Sequence, residues 1–171
     1  MNESVIRRLD DLGRIVIPKE IRKKLKLNVG DFLSVESINK NIVLSKYSII
    51  NEYDIDIYKM VKIIETLTDN IVLVTDKEKV LLTDNNHKKE YYGKQLSDEF
   101  LDIIIKSKEV SEEKVLKKVT VEDTLKHISY ITKNIRINGY NAGIFIILSY
   151  KETLDIQSVV LANFASEYLS K

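Results

Sequence analysis

Two short stretches rich in apolar and β-branched residues, separated by a polar turn, lie near the start of the chain and predict β-strands. Val5 to Leu9 and Arg14 to Ile17 are predicted to form a hairpin, with a turn between them that needs a positive φ at Gly13. Pro18, the single proline of the chain, marks the start of a helix, because its fixed φ and missing N–H suit the first helical position. The pattern thus predicts a hairpin followed by a short helix that runs through Lys26.

A second hairpin is predicted after this helix, from Phe32 to Ile38 and from Ile42 to Lys46, around the turn Asn39-Lys40-Asn41. It completes a unit of about 47 residues, a size at which a folded domain buries only a marginal fraction of its surface. The chain contains no cysteine, so disulfides cannot supply the missing stability. A second copy that shares one core is the ordinary remedy, and we therefore expect a homodimer.

Residues 54–171 follow a different pattern, in which helical and strand-like stretches alternate. A helix is predicted from apolar residues at helical spacing, namely Ile57, Tyr58, Val61, Ile64 and Leu67. Further predicted elements are strands at Ile71 to Thr75 and Lys79 to Thr83, a serine-capped helix at Ser97 to Lys108, a strand at Lys114 to Val121, a hairpin at Lys126 to Tyr150 around Asn138-Gly139, and a helix at Thr153 to Leu169. This order predicts an α+β chain of two domains, residues 1–50 and residues 51–171, the second an α/β domain with an antiparallel sheet.

The composition is typical of a folded, water-soluble protein. Of the 171 residues, 44% are hydrophobic and 31% are charged, too many apolar side chains for a disordered chain and too many charges for a membrane protein. Charged residues fill the start of the chain, where a signal peptide needs an apolar stretch. The absence of cysteine fits a reducing cytosol. We therefore expect a cytoplasmic protein that does not bind membranes.

Positive charge is concentrated near the start, although the formal net charge of the whole chain is only +1. Val5 to Gly30 contains eight basic and three acidic residues, and four of the five arginines, Arg7, Arg8, Arg14 and Arg22, lie in the first 22 residues. Arginine offers a planar set of donors that binds phosphate or a guanine edge in bidentate fashion, which lysine cannot do. The arginine-rich hairpin therefore favours a nucleic-acid partner.

The helix predicted after Pro18 has one basic side and one apolar side. Lys19, Arg22, Lys23 and Lys26 follow the spacing of one helical face, while Ile21 and Leu25 point roughly the opposite way. A run of charge on a single helix often means only a solvated surface. The arginine hairpin beside it favours a binding face instead, which two-fold pairing would present twice to a duplex.

The stretch from Ile6 to Leu25, which contains the segment DLGRIVIPKEIR, resembles the DNA-binding domain of the AbrB/SpoVT family of swapped-hairpin regulators. The order of elements and the closing IVLSKYS at Ile42 to Ser48 agree with it over about 45 residues. The resemblance implies a dimeric β-barrel in which two chains interleave their hairpins, with DNA contacts from the first hairpin and the short helix. By position those contacts fall on Arg7, Arg14, Arg22 and Lys23, with Arg8 beside them and Lys19 and Lys26 on the same helical face.

Residues 54–171 resemble the members of this family that carry a GAF-like domain after the swapped hairpin, through their length, their element order and the segments VLVTDKEKVLLT and GYNAGIFIILS. The resemblance implies a sensor module with an unidentified small-molecule effector, and a homotetramer in which helices at residues 50–67 and 153–169 bundle together. The apolar stripes of those helices have a second interpretation, since they can instead cover the sheet of their own domain. The resemblance also implies a nucleoid-associated regulator of gene expression during sporulation, either an activator or a repressor.

Few residues of this chain are suited to catalysis or metal binding. His87 and His127 have no second nitrogen ligand at local spacing, and no glycine-rich phosphate motif occurs. Glu122 and Asp123 near His127 lack a nucleophile, so no catalytic residue, metal or cofactor is predicted. Four tyrosines can line an effector pocket or else pack in the core or at the surface, and packing is favoured: Tyr91, Tyr92, Tyr130 and Tyr140.

Three classes of function follow from these observations. The first is a DNA-binding transcription factor, with arginines at base edges and lysines at phosphates. The second is a protein-binding antitoxin, since swapped-hairpin folds also serve that role, although such proteins usually carry a disordered tail where residues 54–171 are patterned for a folded core. The third is a ligand-binding or enzymatic domain dimerised by the N-terminal part, which leaves the concentration of arginine unexplained. The arginines favour the first class.

Overall fold

The computed structural model describes residues 5–101, 119–121, 129–151 and 153–170. The chain divides into two compact units, one up to Tyr47 and one from Ser48 onward. Both contain antiparallel sheets and helices, so the predicted mixed α and β composition is confirmed. The predicted helix beyond Leu101, most of the predicted strand at 114–121, and the residues Glu122, Asp123 and His127 lie outside the described residues.

The first predicted hairpin is present as a turn but not as paired strands. The Asp10 N–H donates to the Arg14 carbonyl oxygen at 3.1 Å, and the Gly13 N–H donates to the Asp10 carbonyl oxygen at 3.0 Å, with φ +72° at Gly13. Residues 5–9 and 14–17 have no regular secondary structure. The prediction of two strands here is wrong for the single chain, because a strand forms only where a neighbouring strand receives its hydrogen bonds.

Helix α1, Lys19–Lys24, is shorter than predicted. Pro18 precedes the first helical residue as its N-cap, and its carbonyl oxygen accepts the Arg22 N–H at 2.9 Å. Lys26 has φ +51°, and the Leu27 N–H turns back to the Arg22 carbonyl oxygen at 2.8 Å. This left-handed residue is a common way to end a helix, and it takes Lys26 out of the helical conformation.

The second predicted hairpin is confirmed. Strands β1 (Phe32–Ile38) and β2 (Asn41–Tyr47) pair antiparallel along their whole length. The two residues between them, Asn39 and Lys40, have φ +48° and +65°. Positive φ at both central residues is the type I′ geometry, whose twist matches that of the flanking strands.

The C-terminal unit is built on a four-stranded antiparallel sheet in the order β4-β3-β6-β5. The strands are β3 (Ile71–Thr75), β4 (Val80–Thr83), β5 (Ser129–Ile137) and β6 (Tyr140–Ser149). The helices are a 3₁₀ helix at Ile49–Tyr53, α2 (Asp54–Leu67), α3 (Lys88–Tyr91) and α4 (Ile156–Leu169). A further run of helical residues begins at Asp98. The Ser97 hydroxyl accepts the Phe100 N–H at 3.1 Å, so the predicted serine cap is present.

Both faces of this sheet are covered by apolar side chains, because successive strand residues point to opposite sides. Val72, Phe145 and Ile147 face a core that includes Ile57 and Ile64 of α2 and Ala162 and Ala165 of α4. Leu73, Ile144 and Ile146 face a second core with Tyr91, Phe100 and Val119. Burial on both sides explains why β6 is almost wholly apolar. No helix within the described residues has the length and apolar character needed to span a bilayer.

Candidate nucleic-acid interface

All the predicted DNA-contacting side chains are exposed on the N-terminal unit. They are Arg7, Arg8, Arg14, Lys19, Arg22, Lys23 and Lys26. Long cationic side chains at the surface can reach a partner without first breaking a buried contact.

Four of these residues share one surface. Lys19, Arg22, Lys23 and Lys26 line an open depression of about 410 Å³, together with Leu27 and Asn28. None of the lining residues is acidic, so the four positive charges attract an anion to this surface. Lys26 reaches the depression even though it lies beyond α1, because its left-handed backbone turns the chain back toward Arg22.

Arg14 lies outside the depression, in the turn of the first hairpin. One carboxylate oxygen of Asp10, Oδ1, accepts the backbone N–H of Leu12 at 3.0 Å and that of Arg14 at 2.7 Å. The other, Oδ2, accepts the Arg14 Nε–H at 2.8 Å. The backbone hydrogen bond from Arg14, followed by the one from its side chain, lowers the pKa of the Asp10 carboxyl below its ordinary value.

The hydrogen bonds that Asp10 accepts from Leu12 and Arg14 were not predicted from the sequence. A signal for it is present, because an aspartate that opens a short turn ending in glycine commonly accepts backbone hydrogen bonds from the residues that follow. The segment Asp10-Asp11-Leu12-Gly13 has this form. No sequence pattern indicates the additional hydrogen bond between the Asp10 carboxylate and the guanidinium of Arg14.

Arg7 and Arg8 are exposed and neither lines the depression. The Arg7 guanidinium donates a hydrogen bond to the carbonyl oxygen of Ile6 at 3.1 Å, a local contact that leaves most of its donors free. The single chain therefore brings together the four cations of the helical region and leaves the three hairpin arginines separate from them.

The N-terminal unit exposes large apolar side chains along its whole length. The exposed fraction is 91% for Ile6, 75% for Val16, 95% for Val29 and 76% for Ile42. Among residues 5–47, Pro18 alone is buried. This unit has almost no core of its own within one chain.

The four tyrosines considered for an effector pocket fall into two groups. Tyr91 and Tyr130 are buried in the second core of the C-terminal unit. Tyr92 and Tyr140 are each 53% exposed. Core packing therefore accounts for the rings of the first pair, although the Tyr130 hydroxyl is buried without a hydrogen-bond partner, and the second pair lies at the surface.

His87 has a structural partner. Its Nδ1 lies 2.7 Å from Oδ1 of Asp84, a buried carboxylate that also accepts the His87 backbone N–H. Among the described residues, no group of three histidine or acidic side chains is arranged to hold a metal ion.

Family models of known proteins match both units of the chain. Residues 58–171 match the family model described as stage V sporulation protein T C-terminal, transcription factor. Residues 6–51 match the model described as antidote-toxin recognition MazE, bacterial antitoxin. The larger match makes this chain a transcription factor by class.

Two relatives define the class more narrowly. The chain is 32% identical over 156 residues to stage V sporulation protein T of Bacillus subtilis (strain 168), a match that covers 88% of this chain and 85% of that protein. Over 43 residues it is 40% identical to the transition state regulatory protein AbrB of the same organism, which covers 25% of this chain and 45% of AbrB. The chain belongs to the stage V sporulation protein T family. The resemblance stated from the sequence is thereby confirmed, and the family is one of transcription factors rather than enzymes.

Proposed function

We propose that this transcription regulator binds double-stranded DNA through the basic surface of its N-terminal unit. The observation that carries the proposal is the depression at which Lys19, Arg22, Lys23 and Lys26 meet without an acidic neighbour in its lining. In this role the lysines neutralise phosphates, while Arg22 and the exposed hairpin arginines offer bidentate contacts to base edges.

The exposed apolar residues of the same unit support a homodimer with interleaved hairpins. Burying an isoleucine or valine side chain fully contributes about 1.5–3 kcal/mol. Burial of Ile6, Val16, Val35 and Ile42, all at least 68% exposed in one chain, would together contribute on the order of 5–10 kcal/mol. This is comparable to the cost of association, about 4–15 kcal/mol, which supports the dimer as the folding unit.

Helix α4 supports a further association of dimers into a homotetramer. Four large side chains repeat every fourth residue on its outer face, namely Ile156, Val160, Phe164 and Tyr168, with exposed fractions of 82%, 59%, 55% and 49%. The opposite side, with Ala162 and Ala165, covers the sheet. A second copy offers the same stripe, so two such helices can pack against each other around a two-fold axis. Sedimentation velocity is expected to show a tetramer for the wild type and a dimer for Phe164→Glu; a tetramer that survives in Phe164→Glu would contradict this interface.

A sensory role of the C-terminal unit is part of the same proposal. Three buried hydroxyls, those of Thr75, Thr83 and Tyr130, have no hydrogen-bond partner. The strand register places all three on the sheet face that carries the second core. Unpartnered buried hydroxyls favour a small effector with hydrogen-bonding groups on this face. Native mass spectrometry of protein purified from its own cells should detect an adduct that Tyr130→Phe weakens, and a wild type free of any adduct would count against the sensor.

DNA binding is tested with Arg22→Ala and with Arg136→Ala as a matched control. Both remove one exposed arginine, but Arg136 lies in the C-terminal unit. Arg22→Ala is expected to weaken duplex binding by about 1–3 kcal/mol with the oligomer intact, and Arg136→Ala to leave it unchanged. For the wild type, a plot of the logarithm of the binding constant against the logarithm of salt concentration should have a slope of about −0.9 per phosphate neutralised. Equal affinity of both variants would reject the assignment of this surface.

The match of residues 6–51 to an antitoxin model favours a second candidate, a protein-binding antitoxin. A toxin partner has no array of phosphates for the basic side chains to neutralise. Its binding would therefore respond only weakly to salt concentration. A wild-type chain that binds no duplex at low salt would favour this candidate over the regulator.

A further inference from the structure

We propose that Asp10 is a positioning residue for Arg14, which it holds in the orientation that contacts a guanine edge or a pair of phosphate oxygens. This inference rests on the proposed DNA binding and concerns how one contact of that interface gains specificity. It assigns a function to a carboxylate that lies within the most basic part of the chain.

The two oxygens of the Asp10 carboxylate have separate partners. Oδ1 accepts the backbone N–H groups of Leu12 and Arg14, and so fixes the turn. Oδ2 accepts the Arg14 Nε–H at 2.8 Å, and so fixes the side chain. The Gly13 N–H closes the turn onto the Asp10 carbonyl oxygen at 3.0 Å. One residue therefore determines both where Arg14 leaves the backbone and how its guanidinium is turned.

The bond to Nε leaves the end of the guanidinium free. Arginine has five N–H donors, and one N–H of Nη1 together with one of Nη2 forms the end-on edge that pairs with two acceptors at once. The side chain of Arg14 remains 70% exposed, so this edge is accessible to a partner. A side chain already held in its binding orientation loses less freedom when it binds, which raises affinity and selectivity for the acceptor pair it faces.

A simple electrostatic role for Asp10 predicts the opposite effect on binding. A carboxylate near DNA repels phosphates, so its removal should tighten binding to every duplex. An exposed ion pair also contributes little to folding stability, so stability alone gives little reason for the contact. The positioning role predicts weaker and less selective binding when the carboxylate is lost, and the sign of the change separates the two.

The test compares Asp10→Asn with Asp11→Asn in the full-length chain. Both remove one negative charge from the same turn, and the side chain of Asp11 is exposed. An asparagine at position 10 retains an oxygen for the two backbone N–H groups, but its amide nitrogen cannot accept the Arg14 Nε–H. Affinities are measured for a duplex selected from a random pool by the wild type, and for an unselected duplex of equal length.

We expect Asp10→Asn to weaken binding to the selected duplex by about three- to tenfold and to lower the ratio of selected to unselected affinity. Asp11→Asn should bind both duplexes as tightly as the wild type or more tightly. Arg14→Lys keeps the charge without the Nε–H donor, so it should lower the ratio similarly, and adding Asp10→Asn to it should have no further effect.

The Arg14 Nε–H resonance supplies a readout that does not depend on DNA. It should exchange slowly with water in the wild type and in Asp11→Asn, and quickly in Asp10→Asn, with circular dichroism unchanged. If Asp10→Asn binds like Asp11→Asn while the wild type binds DNA, the role of Asp10 is overturned and the proposed function stands. If the wild type binds no duplex, the proposed function fails, and the positioning role fails with it.

Discussion

Substitution of Gly143 by alanine tests how the first helical segment after the N-terminal unit is held on the C-terminal sheet. Gly143 lies in β6, opposite Ile135 of β5. A Cβ atom at this position would overlap the carbonyl oxygen of Thr75 in the adjacent β3 and would lie 2.6 Å from Cδ1 of Ile50. Ile50 belongs to the 3₁₀ helix Ile49–Tyr53 and is 1% exposed, so its side chain has little room to move away.

The contact distances allow the cost to be estimated. Forcing one extra carbon into a packed core costs about 1–3 kcal/mol, and we expect Gly143→Ala to destabilise the C-terminal unit by this amount. Ile50→Val removes the Cδ1 atom involved in the second contact, at its own cost of about 0.5–1.5 kcal/mol. The double variant should therefore lose at least about 0.5 kcal/mol less than the sum of the single variants. The overlap with the Thr75 backbone remains, so the rescue is only partial.

The free energy of unfolding is measured by urea titration followed by far-UV circular dichroism, at one protein concentration for all variants because the chain is proposed to associate. The control pairs Gly143→Ala with Ile64→Val. Ile64 is fully buried in the same core as Ile50, but none of its atoms is among the three nearest to the added Cβ. This control pair should be additive. Additivity of the Ile50 pair as well, or a Gly143→Ala variant as stable as the wild type, would refute the reasoning.

Two smaller changes test local features of the fold by the same titration. Asp155 Oδ1 accepts the Ser158 N–H at 2.7 Å at the start of α4, so Asp155→Ala should lower the free energy of unfolding by about 1 kcal/mol at pH 7, and no loss would contradict the cap. That hydrogen bond lowers the pKa of the Asp155 carboxyl. The stability it adds is therefore complete above about pH 4 and is lost as the pH falls through the lowered pKa. Asp155→Asn should remove this pH dependence. Lys40→Gly places a glycine at φ +65° in a type I′ turn and should stabilise the N-terminal unit by about 0.5–1 kcal/mol, whereas a loss of stability would show that the lysine side chain makes a compensating contact.

Sequence patterns predicted the elements whose cause is local. The turn Asn138-Gly139 has φ +51° and +78°, the geometry that these two residue types favour, and the flanking strands β5 and β6 follow from it. The Ser97 cap and the β3–β4 pair have similarly local signals. In each case the residues that determine the structure lie within a few positions of it.

The predictions that failed depend on distant contacts or on backbone conformations without a residue signature. The β-branched residues of segments 5–9 and 14–17 favour strands, but strands there need partners that these residues do not find within one chain. Helix α1 ends at Lys24 and is followed by a left-handed Lys26, at a position where glycine is the usual signal. Tyr58 and Leu67 share the helical spacing of the core residues of α2, yet they are 51% and 49% exposed. The anchoring of Ile50 over Gly143 joins residues far apart in sequence, and no pattern indicates it.

Helix α4 shows why its two interpretations could not be separated by sequence. Its buried side chains include the small residues Ser158, Ala162 and Ala165, which let the helix approach the sheet closely, while larger apolar residues such as Phe164 face outward. Both sides are therefore apolar enough to pack, and the same helix can cover its own sheet and meet a second copy. The proposed tetramer uses this outer face of α4, and the proposed dimer uses the exposed apolar residues of the N-terminal unit. Because both are associations between chains, both should depend on protein concentration. DNA affinity should then rise with assembly, because each added chain contributes another copy of the basic depression.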